Sequence, residues 1–152
     1  MRRIASSVAI ITARDKAGQV HGMAATAVIS VSMDPPSMLV AVNRSAGIHA
    51  GLAESRRFCV NVLSDAQRDL ILAFSITALR DQRFASGDWS EGPGGLPWLP
   101  GAVCSLCCDV DKTIDYGTHS LFIGRVTHVA EGGQALPLVW LGGNPLSGGS
   151  RS

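Results

Sequence analysis

Gly22-Met23-Ala24-Ala25-Thr26-Ala27-Val28-Ile29-Ser30-Val31-Ser32-Met33-Asp34-Pro35-Pro36 decides how this chain is read. Its small and β-branched residues predict one long strand. The double proline, which fixes φ and cannot donate to a ladder, predicts the turn that ends it. Side chains alternate along a strand, so the hydroxyls of Ser30 and Ser32 are expected on one side. Small neighbours would let a flat, polar-edged ligand lie close to the backbone. A barrel strand packed tightly through small residues accounts for the same stretch equally well.

Working outward, Val8 to Ala13 is apolar and β-branched, and Asp15-Lys16-Ala17-Gly18 has turn chemistry, so a strand before the opening stretch pairs with it as a hairpin. Ser37 to Asn43 predicts the returning strand. Ser45 is placed to cap a helix carrying Ile48, Leu52 and Ala53. Because a helix N-terminus offers free N–H groups and partial positive charge, Asn43-Arg44-Ser45 is either an anion site or an ordinary cap beside an exposed arginine. Arg57 to Leu63 predicts a strand with Phe58, Val60 and Val62 on one face and Cys59 and Asn61 on the other. Ser64-Asp65-Ala66-Gln67 is a capping box that opens a helix burying Leu70, Ile71 and Phe74. The Gly/Pro-rich segment 85–100, with Trp89 and Trp98, is expected to be a long loop serving as a lid or interface arm. Segments 102–110, 119–129 and 136–141 complete the strands, and the Gly/Ser-rich end reads as a disordered tail. The expected organisation is one domain over residues 1–146 with a tail at 147–152.

The chain has 152 residues, 46% of them hydrophobic, 17 glycines and a net charge of +1. That suits a single β-rich domain with many turns. The basic residues are scattered, which leaves nucleic-acid binding without an electrostatic footprint. Met1-Arg2-Arg3 and the short apolar run after it lack a cleavage-type ending and read as the end of a helix leading into the first strand. No apolar segment is long enough to span a bilayer, and a cytoplasmic location is expected. Cysteines stand at 59, 104, 107 and 108. Cys104 and Cys107 have the spacing of half a zinc site or of a redox pair, but no second pair completes four ligands, and their strand-like surroundings favour buried apolar cysteines with no metal.

Catalytic constellations are scarce. The sequence holds no nucleophile elbow, no metal-binding His pair at helical spacing, no Walker loop and no dinucleotide fingerprint, and its histidines at 21, 49, 119 and 128 are dispersed. A ligand cradle with few catalytic groups implies that a cofactor carries the chemistry. Hydride transfer through a flavin fits, since the protein then has only to position two ring systems and exclude water.

Gly22-Met23-Ala24-Ala25-Thr26, Ser30-Val31-Ser32-Met33-Asp34-Pro35-Pro36, Asn43-Arg44-Ser45, Phe58-Cys59-Val60-Asn61-Val62-Leu63-Ser64, Gly117-Thr118-His119 and Phe122-Ile123-Gly124-Arg125-Val126 occur in this order between Ile4 and Trp140. The set resembles the flavin reductase domain family, the short-chain NAD(P)H:flavin oxidoreductases that serve two-component monooxygenases. The resemblance implies a mainly β fold, an FMN-binding split β-barrel with a few short helices. It also implies a homodimer with flavin near the interface, FMN or FAD as flavin, NADH or NADPH as reductant, and a partner oxygenase. It assigns Ala24, Ala25 and Thr26 to the isoalloxazine edge, and Ser30, Val31 and Ser32 to the pyrimidine end and ribityl chain. Asn43, Arg44, Ser45 and His49 are assigned to the phosphate, Phe58 joins the cofactor-binding set, and His119 is the residue expected at the nicotinamide. There is no metal site.

The chain departs from the family pattern at several positions. Thr118 replaces the usual Asp and Ala24 a common Thr, and Gly142-Gly143-Asn144-Pro145 lacks the closing aromatic residue, a role left to Trp89 or Trp98. The abrupt start removes part of the usual leading helix. An FMN-binding carrier or sensor with little reductase activity is therefore the alternative reading.

Overall fold

The computed structural model describes residues 2–146. The strands in chain order are β1 (Ser6–Ser7), β2 (Ala9–Arg14), β3 (Val20–Ala25), β4 (Val28–Met33), β5 (Pro36–Asn43) and β6 (Arg57–Val62). They continue with β7 (Ser90–Glu91), β8 (Pro97–Trp98), β9 (Cys104–Tyr116), β10 (His119–Glu131), β11 (Val139–Leu141) and β12 (Asn144–Leu146). Helix α1 (Gly47–Ser55) follows β5, and α2 (Leu70–Ser75) follows β6.

Seven strands form one sheet in the order β3-β2-β6-β9-β10-β5-β4, every described pairing being antiparallel. Its two edge strands, β3 and β4, are separated by only Thr26 and Ala27. An extended residue spans at most about 3.6 Å, so Ala25 and Val28 lie within about 11 Å and the sheet must roll until its opposite edges meet at that corner. The edges are not paired to each other, and this is the geometry of a split barrel.

The interior follows from alternation. On one face Ala9, Ile11, Val40, Val42, Phe58, Val60, Phe122 and, from α1, Ile48 and Leu52 form the main core. On the other face of β2, Val8 and Ile10 meet Leu63, Leu70, Phe74 and Leu138. Strand β2 is thus buried on both sides, which explains its nearly continuous apolar sequence. Gly124 is required where β10 crosses the core, since a Cβ there would sit 2.7 Å from the Phe58 ring.

Several expectations are corrected. The predicted long strand breaks at Thr26-Ala27, because its halves belong to opposite sheet edges. A bulge between Ser30 and Ser32 interrupts their strict alternation. The residues before β1 form a turn instead of a helix end, and Ser6 and Ser7 pair with Trp140 and Val139. Ser45 does not cap α1: Ala46 occupies that position, and the Ser45 N–H and Oγ–H both donate to Asn43 Oδ1, at 2.9 and 2.8 Å. The capping box at Ser64 forms, but opens a single 3-10 turn before α2. The segment 85–100 contains the β7–β8 hairpin, and β9 runs six residues past Val110. The expected tail at 147–152 lies outside the described residues.

Candidate functional site

Two depressions flank β3. The smaller, about 220 Å³, is lined by Ala24, Ala25 and Thr26 at the end of β3, by Val8, by Ile71 and Ser75 of α2, and by Trp140 of β11. A ring of backbone hydrogen bonds holds this corner together: Val8 N–H donates to the Leu138 carbonyl, Leu138 N–H to Leu63, and Leu63 N–H to Val8. This ring, with the Ser6–Trp140 pairing, sets Trp140 beside Val8. The alanines keep the β3 wall low, the indole and aliphatic groups make it apolar, and the hydroxyls of Thr26 and Ser75 supply polar edges. Such a surface accepts a flat aromatic system with polar margins.

The larger cleft, about 510 Å³, runs along Gln19–Gly22, the start of α1 at Gly47 and Ile48, and Arg80, Asp81, Arg83, Phe84 and Ala85. Arg83 is committed to the backbone, donating to the carbonyls of Ala73 and Gly22 at 2.8 Å each. Its burial, and next the neighbouring Arg80, pull its pKa below the usual arginine value. The Arg80 guanidinium lies against Gly47, about 3.9 Å from where a Cβ would stand, and so adds a cation to the helix end whose N–H groups lack intrahelical acceptors.

A third group surrounds the tip of the β9–β10 hairpin. Arg44 N–H donates to the Thr118 carbonyl at 3.0 Å, and its guanidinium donates to the carbonyls of His119, at 2.9 Å, and Gly117. His119 Nδ1 lies 2.8 Å from Thr118 Oγ1. His49, on α1, places Nε2 2.8 Å from Ser120 Oγ, and that hydroxyl donates to Asp115 at 2.6 Å. With its proton on Asp115, Ser120 accepts from His49, so the His49 Nε2 carries a hydrogen.

The family model described as "Flavin reductase like domain" matches residues 1–148. The chain belongs to that family. It is 39% identical to the FMN reductase (NADH) RutF of Stutzerimonas stutzeri over 144 residues, covering 95% of this chain and 82% of that protein. It is also 39% identical to the reductase component of a FADH(2)-dependent resorcinol hydroxylase from a Rhizobium strain over 141 residues, 92% of this chain and 79% of that one. Among solved structures, the NADH:FAD oxidoreductase SgcE6 of Streptomyces globisporus, in complex with NAD and FAD fragments, superposes with a TM-score of 0.91 at 26% identity, over 99% of this chain and 90% of that one. The styrene monooxygenase flavin reductase of Pseudomonas putida gives 0.85 at 30% identity, over 95% and 92%.

Within this flavin reductase-like domain, the expected site residues divide among these places. Ala24, Ala25 and Thr26 share the smaller pocket, whereas Ser30, Val31 and Ser32 lie on β4 at the opposite sheet edge, with Ser30 and Val31 exposed. Asn43, Arg44, Ser45, His49 and His119 gather around the hairpin tip. Phe58 is a correction: fully buried against Gly124 in the main core, it has no surface to offer a ligand. The Arg44 guanidinium holds carbonyls of the tip.

The aromatic residue near the pocket is Trp140. Trp89 instead stacks among Phe74 and Phe84, at 5.4 and 5.1 Å between ring centroids, and Trp98 packs over Cys59 and Cys107. Sequence reasoning missed Trp140, Ile71 and Ser75. It also missed Arg80, which lies between the helix read through Phe74 and the segment read from residue 85.

Proposed function

We propose that this domain reduces free flavin with NADH and releases the reduced flavin to a partner oxygenase. Membership of the flavin reductase-like family and the pocket walled by Ala24, Ala25, Thr26 and Trp140 support this reading. Relatives named as NADH-dependent FMN reductases, and as reductase components of hydroxylase and styrene monooxygenase systems, point the same way. A bound flavin would supply the acceptor for a hydride from reduced nicotinamide. The low β3 wall and the indole orient the ring and exclude water from one face, while Thr26 and Ser75 meet its polar edge. Asn43, Ser45 and the N–H groups opening α1 receive the phosphate, with Arg80 as the neighbouring cation. His119, held at the hairpin tip by Thr118 and Arg44, is the residue assigned to the nicotinamide. Ser30, Val31 and Ser32 reach a flavin from β4 only across the seam between the sheet edges.

A homodimer is part of the proposal. Ile29, Val31 and Met33 are 59, 48 and 85% exposed along edge strand β4, an unpaired apolar strip that a second copy would cover. Sedimentation of a monomer with bound flavin would rule this out. No described helix is long and apolar enough to cross a membrane. The free state of all four cysteines accords with a cytoplasmic location.

The deciding experiment is anaerobic oxidation of NADH or NADPH with FMN or FAD, following nicotinamide absorbance and flavin bleaching. Multiple turnovers are expected and would identify both cosubstrates. Flavin binding without turnover would favour a carrier or sensor, a reading motivated by Thr118, whose hydroxyl beside His119 stands where a carboxylate is usual.

A further inference from the structure

On the face of β6 and β9 turned towards the β7–β8 hairpin, a column of cross-strand pairs remains that flavin reduction does not use. Arg57 stands opposite Asp109, Cys59 opposite Cys107, and Asn61 opposite Ser105. The Val110 N–H donates to the Arg56 carbonyl at 2.9 Å, which makes Arg56 and Val110 a hydrogen-bonded pair. Pairs alternate along an antiparallel ladder, so all three pairs of the column are of the non-hydrogen-bonded kind, with Cα atoms about 4.5 Å apart and side chains closest.

The flanking pairs agree with that closeness. Arg57 Nε donates to Asp109 at 3.1 Å, and Ser105 Oγ donates to Asn61 Oδ1 at 2.9 Å. Between them lie the two thiols, 0 and 1% exposed, under Leu96 and Trp98. A Cα separation of about 4.5 Å falls inside the range a disulfide spans, roughly 4.4–6.8 Å. Cys104, which completes the Cys-x-x-Cys spacing with Cys107, is an odd number of residues away on the same strand and faces the other side.

We propose that Cys59 and Cys107 are a dithiol that hydrogen peroxide converts to a disulfide between β6 and β9. The Cys107 sulfur attacks one peroxide oxygen, the O–O bond breaks, and a sulfenic acid and one water result. The Cys59 sulfur then attacks the Cys107 sulfur, forming the S–S bond as the S–O bond breaks and a second water leaves. Two thiols together lose two electrons and two protons, and the peroxide is reduced to two waters. Cys107 is the attacking member: the adjoining Cys59 thiol and the charge of Arg57 hold its thiol below the ordinary range against burial and the charge of Asp109. Cys59, whose thiol donates to Asn61 Oδ1 at 3.8 Å, keeps its proton and is pushed up by the adjoining Cys107 sulfur and by burial. The cover over the pair is the two-residue ladder of β7 and β8, a small unit whose lifting admits a molecule the size of peroxide.

The test treats the whole protein with hydrogen peroxide, quenches it, unfolds it, alkylates the remaining thiols and maps peptides by mass spectrometry. The expected result is a loss of about 2 Da, a cross-linked peptide joining Cys59 to Cys107, alkylation confined to Cys104 and Cys108, and full reversal by dithiothreitol. Cys107→Ser and Cys107→Ala should each abolish the mass loss, while Cys104→Ser retains it. Because the wild-type peptide map gives the linkage directly, a variant that fails to fold leaves the test intact. Four alkylatable thiols after treatment, a Cys104–Cys107 link, or peroxide oxygens retained on a single sulfur would each overturn the proposal.

Discussion

Replacing Arg44 separates two roles for the Asn43-Arg44-Ser45 segment. In the structure its guanidinium donates to the carbonyls of Gly117 and His119, and its N–H to that of Thr118. Arg44→Ala removes the two side-chain bonds and keeps the backbone one. Charge-assisted bonds at an exposed site are worth about 0.5–1 kcal/mol each once solvent screening is allowed for. Together they bias the tip by about 1–2 kcal/mol, a factor of roughly 5–30 in the ratio of ordered to disordered tip. If His119 acts only from the ordered tip, kcat/KM for NADH should fall by up to that factor. Affinities for FMN and for riboflavin, measured by fluorescence quenching, should shift together and by little. Arg44→Lys, which restores charge without the two-pronged reach, should recover only part of the turnover. Selective loss of FMN affinity in Arg44→Ala, with riboflavin unaffected and Arg44→Lys fully active, would refute this reasoning and return Arg44 to the phosphate.

Asn61 is fully buried, and its side chain accepts from Leu99 N–H and Ser105 Oγ while donating to the Ile10 carbonyl. Asn61→Ala leaves those three partners unsatisfied and should cost about 3–5 kcal/mol, or about 6–20 °C in Tm by calorimetry, and a drop under 2 °C would show the network to be dispensable. Asp15 is held below its ordinary value of 3.8, first by its hydrogen bond to His21. A depressed carboxylate contributes stability that is present above the unfolded pKa and lost as pH falls through the folded one. Asp15→Asn should therefore flatten the acid limb of a Tm-against-pH series below about pH 4, and parallel limbs for variant and wild type would exclude the contribution.

What the sequence made legible was whatever period-two alternation and turn chemistry encode locally. The β2–β3 hairpin, the turn at Asp34-Pro35-Pro36, and the opposite faces of β6 all follow from residues within a few positions of one another. The break at Thr26-Ala27 was not legible, because Ala-Ala-Thr-Ala-Val reads as uninterrupted strand and the reason for breaking is that the two halves must serve opposite edges. The far half of β9 was missed for a related reason. Its exposed stretch through Asp111, Lys112 and Asp115 has no buried face to impose alternation, and it is held as strand by β10 alone. Trp140 sits on a three-residue strand too short to carry a pattern, and it reaches the pocket through the pairing of β1 with β11.

The residues around the start of α1 show the same limit, and they bear on how the site works. The sequence reading took the cap and the cation at the start of α1 from the nearest polar residues, Ser45 and Arg44, whereas Ala46 occupies the cap position. The fold spends Asn43 on shaping the turn and Arg44 on latching the hairpin tip, while Arg80, more than thirty residues on, comes to lie over the helix start. One loop therefore joins two functions. By fixing the β5–α1 turn it sets the helix end, and through Arg44 it holds the backbone that carries His119. Disturbance of the loop should consequently be felt at both places, which is why measuring FMN and riboflavin affinities beside NADH turnover distinguishes its parts.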